Sequence, residues 1–166
     1  MVAALFWDEI VGAQCPLWLK RLWPGRSHAG AVQDSSGTAW FTRAELALHD
    51  GKDDSKPLLL SIGGEVFDVT FESRFYGPGS GYAVFAARDA TRALTRTSLD
   101  SKDYDGAGAL RVDDFTEQDW DRFVEQLQFY RDKYKLVGGL SDGAAIPVGV
   151  ARRAGGVCLQ AAMKHV

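Results

Sequence analysis

In the stretch FYGPGSGY, residues 75–82, Tyr76 and Tyr82 are separated by three glycines, a proline and a serine. A protonated phenol, with an ordinary pKa near about 10, is a weak ligand at neutral pH. As a phenolate it is a hard anionic oxygen donor suited to ferric iron, and tyrosine is among the protein ligands of haem iron. A coordinated cation supplies the missing acidity, because it lowers the pKa of the group that binds it. Tyr76 and Tyr82 are therefore the candidate site, with Lys133 and Arg88 as cations able to assist. From these eight residues alone, a surface turn with aromatic flanks is the alternative reading.

Other chemistries find less support. His28, His49 and His165 fall in a linker, at a helix end and in the C-terminal tail, so no Ser-His-Asp or Cys-His arrangement is in evidence, and no catalytic residue is expected. The Gly-Pro-Gly-Ser-Gly run lacks the Lys-Ser/Thr of a phosphate loop. Ser101 to Gly106 has the opening pattern of a calcium loop, but Val112 stands where the twelfth position requires a bidentate glutamate. Cys15 and Cys158 form no closely spaced set. A net charge of -3 and a pI of about 5.6 offer no basic field for nucleic acid.

The tyrosines need a scaffold, and the flanking pattern supplies one. In FTRAELALHDG, Thr42 and Glu45 are spaced as a capping box and Phe41 and Leu46 as a hydrophobic staple, with Gly51 as the stop; Leu46 and Leu48 are the expected anchors. LLLSIGGEVFDVTF reads as a hairpin closed by Gly63 and Gly64. Leu58, Leu60 and Ile62 line one strand, and Phe67, Val69 and Phe71 share a face of the other. AVFAARDATRALT is helix-compatible, with Val84, Phe85 and Leu94 as its larger apolar residues, and SLDSKDYDGAGALRVDD reads as a loop. FTEQDWDRFVEQLQFYRDKY is the clearest helix: Thr116 and Asp119 cap it, Phe115 and Trp120 staple it, and Trp120, Phe123, Val124, Leu127, Tyr130 and Tyr134 form its apolar stripe. This order predicts an α+β domain of about 100 residues in which helices form a pocket over a small sheet.

Three of these runs, LLLSIGGEVFDVT, FYGPGSGYAVFAARDATRAL and RDKYKLVG, resemble in sequence and order the membrane-associated progesterone receptor family, which includes the neudesin and neuferricin group. The resemblance covers about residues 40–140 and implies a cytochrome b5-like fold with haem b as cofactor. Like that family, the chain has no His-Pro-Gly-Gly motif. By resemblance, Tyr82 is the axial ligand with the sixth iron position open, and Tyr76 supports the ligand or the haem edge. Lys133 and Tyr134 match a Lys-Tyr pair near the propionates, where an ammonium and a phenol are natural donors to carboxylates. Gly81 stands where many members carry proline, and Ala87 where glycine is common; Arg88 and Asp89 read as a surface or capping pair.

An anionic axial oxygen favours ferric iron, so the expected role is a haem-binding adaptor or regulator, not an enzyme. The resemblance implies contact with haem-thiolate monooxygenases or other membrane proteins and association of two copies through the exposed haem face. The alternatives are an electron-transfer protein of the cytochrome b5 type and a haem-free protein-binding or steroid-binding module. Steroids belong to the family's name, but no residue here predicts a sterol site.

Residues 1–39 read as an N-terminal segment and linker, residues 40–140 as the haem-binding domain and residues 141–166 as an irregular tail. No run reaches the about 20 apolar residues of a transmembrane helix, and no secretory signal pattern is apparent. Trp7, Trp18 and Trp23, near Lys20, Arg21 and Arg26, suit a segment lying on a membrane surface; a short helix packed on the domain is the other reading. The expected location is membrane-associated or endomembrane.

Overall fold

Gly63 and Gly64 take φ values of +63° and +82°, the left-handed conformation that a two-residue hairpin turn needs at both positions. They join β3 (Leu59–Ile62) to β4 (Glu65–Asp68) with Leu60 opposite Phe67. The computed structural model describes residues 32–33 and 39–154. Within them, β1 (Val32–Gln33), β2 (Ala39–Phe41) and β5 (Lys135–Leu140) complete a five-stranded sheet of order β1-β2-β5-β4-β3. All neighbours are antiparallel except β2 and β5, which run parallel with Ala39 opposite Gly138 and Phe41 opposite Leu140. A Cβ at Gly138 would lie 2.2 Å from the Ala39 carbonyl oxygen, so only glycine permits that approach.

Among the described residues there are six α-helical segments, in chain order α1 (Arg43–Leu46), α2 (Ser73–Tyr76), α3 (Thr91–Arg96), α4 (Ser101–Tyr104), α5 (Glu117–Lys133) and α6 (Val148–Arg153). Both expected capping boxes form, Thr42 with Glu45 on α1 and Thr116 with Asp119 on α5. The Phe115 and Trp120 rings meet at 4.8 Å, the staple that fixes how the chain enters α5. The α5 stripe packs Trp120, Phe123, Leu127 and Tyr130 onto Leu58, Leu60, Ile62, Phe67 and Val69. A smaller cluster of Phe41, Leu46, Leu59, Val66 and Leu140 lies apart from it. The alternation along β3, Leu60 and Ile62 in one cluster and Leu59 in the other, is the period-two geometry of a strand buried on both faces.

Several expectations are corrected. Phe71 is 73% exposed, because the Thr70 amide and hydroxyl both donate to Asp68 Oδ1 and turn the chain out of β4 into a 3-10 turn at Thr70–Glu72. Leu48 is 58% exposed while Leu46 is fully buried; two residues apart, they do not share a helix face. The helix-compatible run from Ala83 divides into a 3-10 turn at Ala83–Phe85 and α3. Between them the backbone lies along the edge of β3: Ala87 N donates to Leu59 O, Ser61 N to Arg88 O and Ala90 N to Ser61 O. The loop from Ser98 contains α4 and a 3-10 turn at Ala107–Leu110.

The described part of the tail expected to be irregular contains α6, and Ala144, Ile146, Val150, Ala151 and Ala154 join the main core. Small apolar residues without long periodicity are enough there because polar ties hold the segment. Ala144 N donates to the buried Asp89 carboxylate at 2.7 Å, and Arg131, itself paired with Glu65, donates to the Ala154 carbonyl. Part of the stretch expected to be a linker supplies β1. The N-terminal tryptophans, both cysteines, His28 and His165 lie outside the described residues. No helix of the described residues is long and apolar enough to cross a membrane.

Candidate functional site

A closed turn brings Tyr76 and Tyr82 together. α2 stops at Gly77, whose N–H donates to Ser73 O at 2.7 Å. Gly79 then takes a φ of +82°, and the Ser80 hydroxyl donates to the carbonyls of Gly77 and Phe75. Tyr82 N closes the loop on Phe75 O at 3.0 Å. The two phenol rings end with centroids 6.2 Å apart, and Tyr82 stacks on Phe85 at 5.7 Å with planes 13° apart.

α5 delivers the other residues. Tyr130 and Tyr134, one helical turn apart, have ring centroids 5.1 Å apart, and the Tyr134 ring meets Tyr76 edge-on at 6.2 Å. The Tyr76 hydroxyl lies 2.9 Å from that of Tyr130 and 3.5 Å from that of Tyr134. Tyr130 is fully buried and Tyr76 nearly so, while Tyr82 and Tyr134 are partly exposed. Burial raises the pKa of Tyr76, of Tyr130 and of Tyr134, so these three stay neutral phenols.

Lys133 ends α5 with its ammonium 5.3 Å from the Tyr134 ring centroid and 5.6 Å from that of Phe129. Its side chain is 15% exposed and its Nζ lies 3.2 Å from Glu72 Oε1. The contact is close enough for an ion pair, yet it is not aligned as a hydrogen bond, and Nζ is buried without an aligned acceptor. Glu72, itself buried, is also paired with Arg74 at 3.3 Å.

Two pairs widely separated in the chain, Tyr76 with Tyr82 and Lys133 with Tyr134, thus converge on one cluster. Arg88 is engaged elsewhere, with Asp105 at 2.8 Å. Asp89 is a buried carboxylate just ahead of α3 that accepts from the Thr91 amide and hydroxyl. Two participants went unrecognised in the sequence: Tyr130, hidden in an apolar stripe, and Glu72, which falls between the run read as a hairpin and the FYGPGSGY turn. The spacing of Tyr130 and Tyr134 by four was the available signal for the first.

Residues 42–140 match the family described as cytochrome b5-like heme/steroid binding domain. Over 85 residues the chain is 44% identical to membrane steroid-binding protein 2 of Arabidopsis thaliana, covering 49% of this chain and 36% of that protein. It is 37% identical over 116 residues to neuferricin of Danio rerio, covering 69% of this chain and 42% of that one. The chain therefore spans less than half the length of either relative. In structure it is similar to a hypothetical protein from Arabidopsis thaliana described as having a cytochrome b5 like fold. That likeness has a TM-score of 0.53 at 30% identity and covers 71% of this chain and 98% of the other.

Proposed function

Because the chain belongs to the cytochrome b5-like heme/steroid binding domain family, we propose that it is a haem-binding adaptor that takes ferric haem b with Tyr82 as axial ligand. The observation that carries this reading is the donor surplus around Lys133. Its buried ammonium lacks an aligned acceptor beside the Tyr134 and Tyr76 phenols. An edge bearing two carboxylates is the complement of such a set. Tyr82 is the phenol that the family pattern aligns with the ligand position, and it is the partly exposed member of the Tyr76–Tyr82 pair.

In this reading haem, when bound, would supply a ferric centre, the oxidation state that an anionic oxygen donor favours. Tyr82 holds the iron and Phe85 fixes the Tyr82 ring by stacking. Tyr76 buttresses it from the side, and Lys133 and Tyr134 bind the propionates. The exposed haem face then serves contact with haem-thiolate monooxygenases, with other membrane proteins or with a second copy. One relative is named a membrane steroid-binding protein, and a steroid-binding module is the competing reading.

The test is a hemin titration followed by absorption. Wild type and Tyr76→Phe retain high-spin ferric bands, and Tyr82→Phe loses them. A Tyr82→Phe spectrum identical to wild type overturns the ligand assignment. A potential near that of bis-histidine cytochromes favours the electron-transfer alternative, and a steroid that binds where hemin does not favours the haem-free one.

A further inference from the structure

Three hydroxyls, of Tyr130, Tyr76 and Tyr134, are joined in a row by two contacts. Each carries one proton, so two protons serve the links and a third is left over. Geometry alone does not assign donors in such contacts, but burial does. Tyr130 is fully buried, and among the described residues its hydroxyl has only Tyr76 as a hydrogen-bond partner. If Tyr76 donated to Tyr130, the Tyr130 proton would be stranded among Phe67, Phe129 and aliphatic neighbours. A buried donor without an acceptor bears the full cost of its lost hydration. Tyr130 must therefore donate to Tyr76, and the surplus proton is displaced to the Tyr76–Tyr134 end. Since Tyr134 is the partly exposed member, the row runs from Tyr130 to Tyr76 to Tyr134 and outward.

We propose that Tyr130 is a positioning residue that fixes the direction of this row, so that the site presents a phenolic donor at its mouth and selects ligands with an anionic acceptor edge. Tyr130 touches no ligand itself. With the buried Lys133 ammonium alongside, lacking an aligned acceptor, the site holds donors of two kinds, matched to a carboxylate-bearing ligand. The choice of hemin as probe rests on the haem reading; the direction of the row does not.

Two measurements on the full chain test this. In the ligand-free protein with labelled tyrosine, proton NMR is expected to show a slowly exchanging Tyr130 hydroxyl proton directed at Tyr76. A Tyr130 hydroxyl exchanging as fast as an exposed one overturns the proposal, whether or not haem binds. Hemin and hemin dimethyl ester, which lacks the carboxylates, are then titrated into wild type, Tyr130→Phe and Tyr134→Phe. Both variants are expected to reduce the preference for hemin over the ester by about tenfold, with the axial-ligand bands of hemin unchanged. An unaltered preference in Tyr130→Phe overturns the proposal. If wild type binds neither porphyrin, the haem reading fails while the NMR result still decides the direction of the row.

Discussion

Asp89 accepts the backbone N–H of Ala144 at 2.7 Å, tying the strip beside β3 to a segment that lies beyond the matched family region. The same carboxylate accepts from the Thr91 amide and hydroxyl, so one buried group organises the start of α3 and anchors the approach to α6. Replacing it tests whether that segment belongs to the folded unit. Asp89→Asn keeps one acceptor oxygen but confronts the other position with an amide nitrogen. A loss of about 1–3 kcal/mol is expected for the orphaned Ala144 N–H, read from urea unfolding. Removal of residues 141–166 costs more, because it also uncovers the core surface beneath Ile146, Val150 and Ala151.

Ala87 sits at a φ of +60°, where a Cβ crowds the carbonyl and glycine does not. Its N–H is held by Leu59 O at 2.7 Å, so the strain persists because the edge of β3 demands it. Ala87→Gly is expected to stabilise the fold by about 1 kcal/mol, measured as a rise in the thermal midpoint with no change in hemin affinity.

Acid should weaken the fold through two carboxylates held below their ordinary range. Asp114 is lowered chiefly by the Arg92 hydrogen bond and Asp119 by the Thr116 amide. Their contributions are complete above the unfolded value of 3.8 and fade as pH falls from there toward their lowered native values. Asp89 acts in the opposite sense: burial raises its pKa, so its charged form is a cost at neutral pH that fades as pH falls through that raised value. Unfolding midpoints measured from pH 7 to about pH 2 are therefore expected to drop steeply below the ordinary carboxylate range, and Asp114→Asn to flatten that drop.

Glu72 competes with any anionic ligand for Lys133, from 3.2 Å away. Glu72→Gln removes the competitor and is expected to raise hemin affinity several-fold, while Lys133→Gln lowers it by about tenfold. Neither change should alter binding of the dimethyl ester as much. Parallel titrations with the two porphyrins check the difference.

Much of the scaffold was readable from local signals. The hairpin followed from Gly63 and Gly64 between apolar runs, and α5 from its caps, staple and stripe. Tyr76, Tyr82, Lys133 and Tyr134 were singled out by residue type and by family pattern, and the fold gathers them. Part of what escaped depended on partners distant in sequence. α6 is held by groups on Asp89 and Arg131, and no periodicity in a stretch of alanines and glycines announces that. Phe71 alternates correctly with Phe67 and Val69, but the side chain of Asp68 redirects the backbone before Phe71 is reached. Tyr130 was placed correctly in the apolar stripe, yet apolar spacing reports where a ring goes and is silent about its hydroxyl.

The parallel pairing of β2 with β5 has a mechanical consequence. A pull applied between Ala39 and Leu140 draws these neighbouring strands past each other lengthwise, loading their cross-links together instead of peeling them one at a time. Tension along that axis would meet a clamp, whereas the antiparallel hairpin of β3 and β4, drawn from its open end, would unzip.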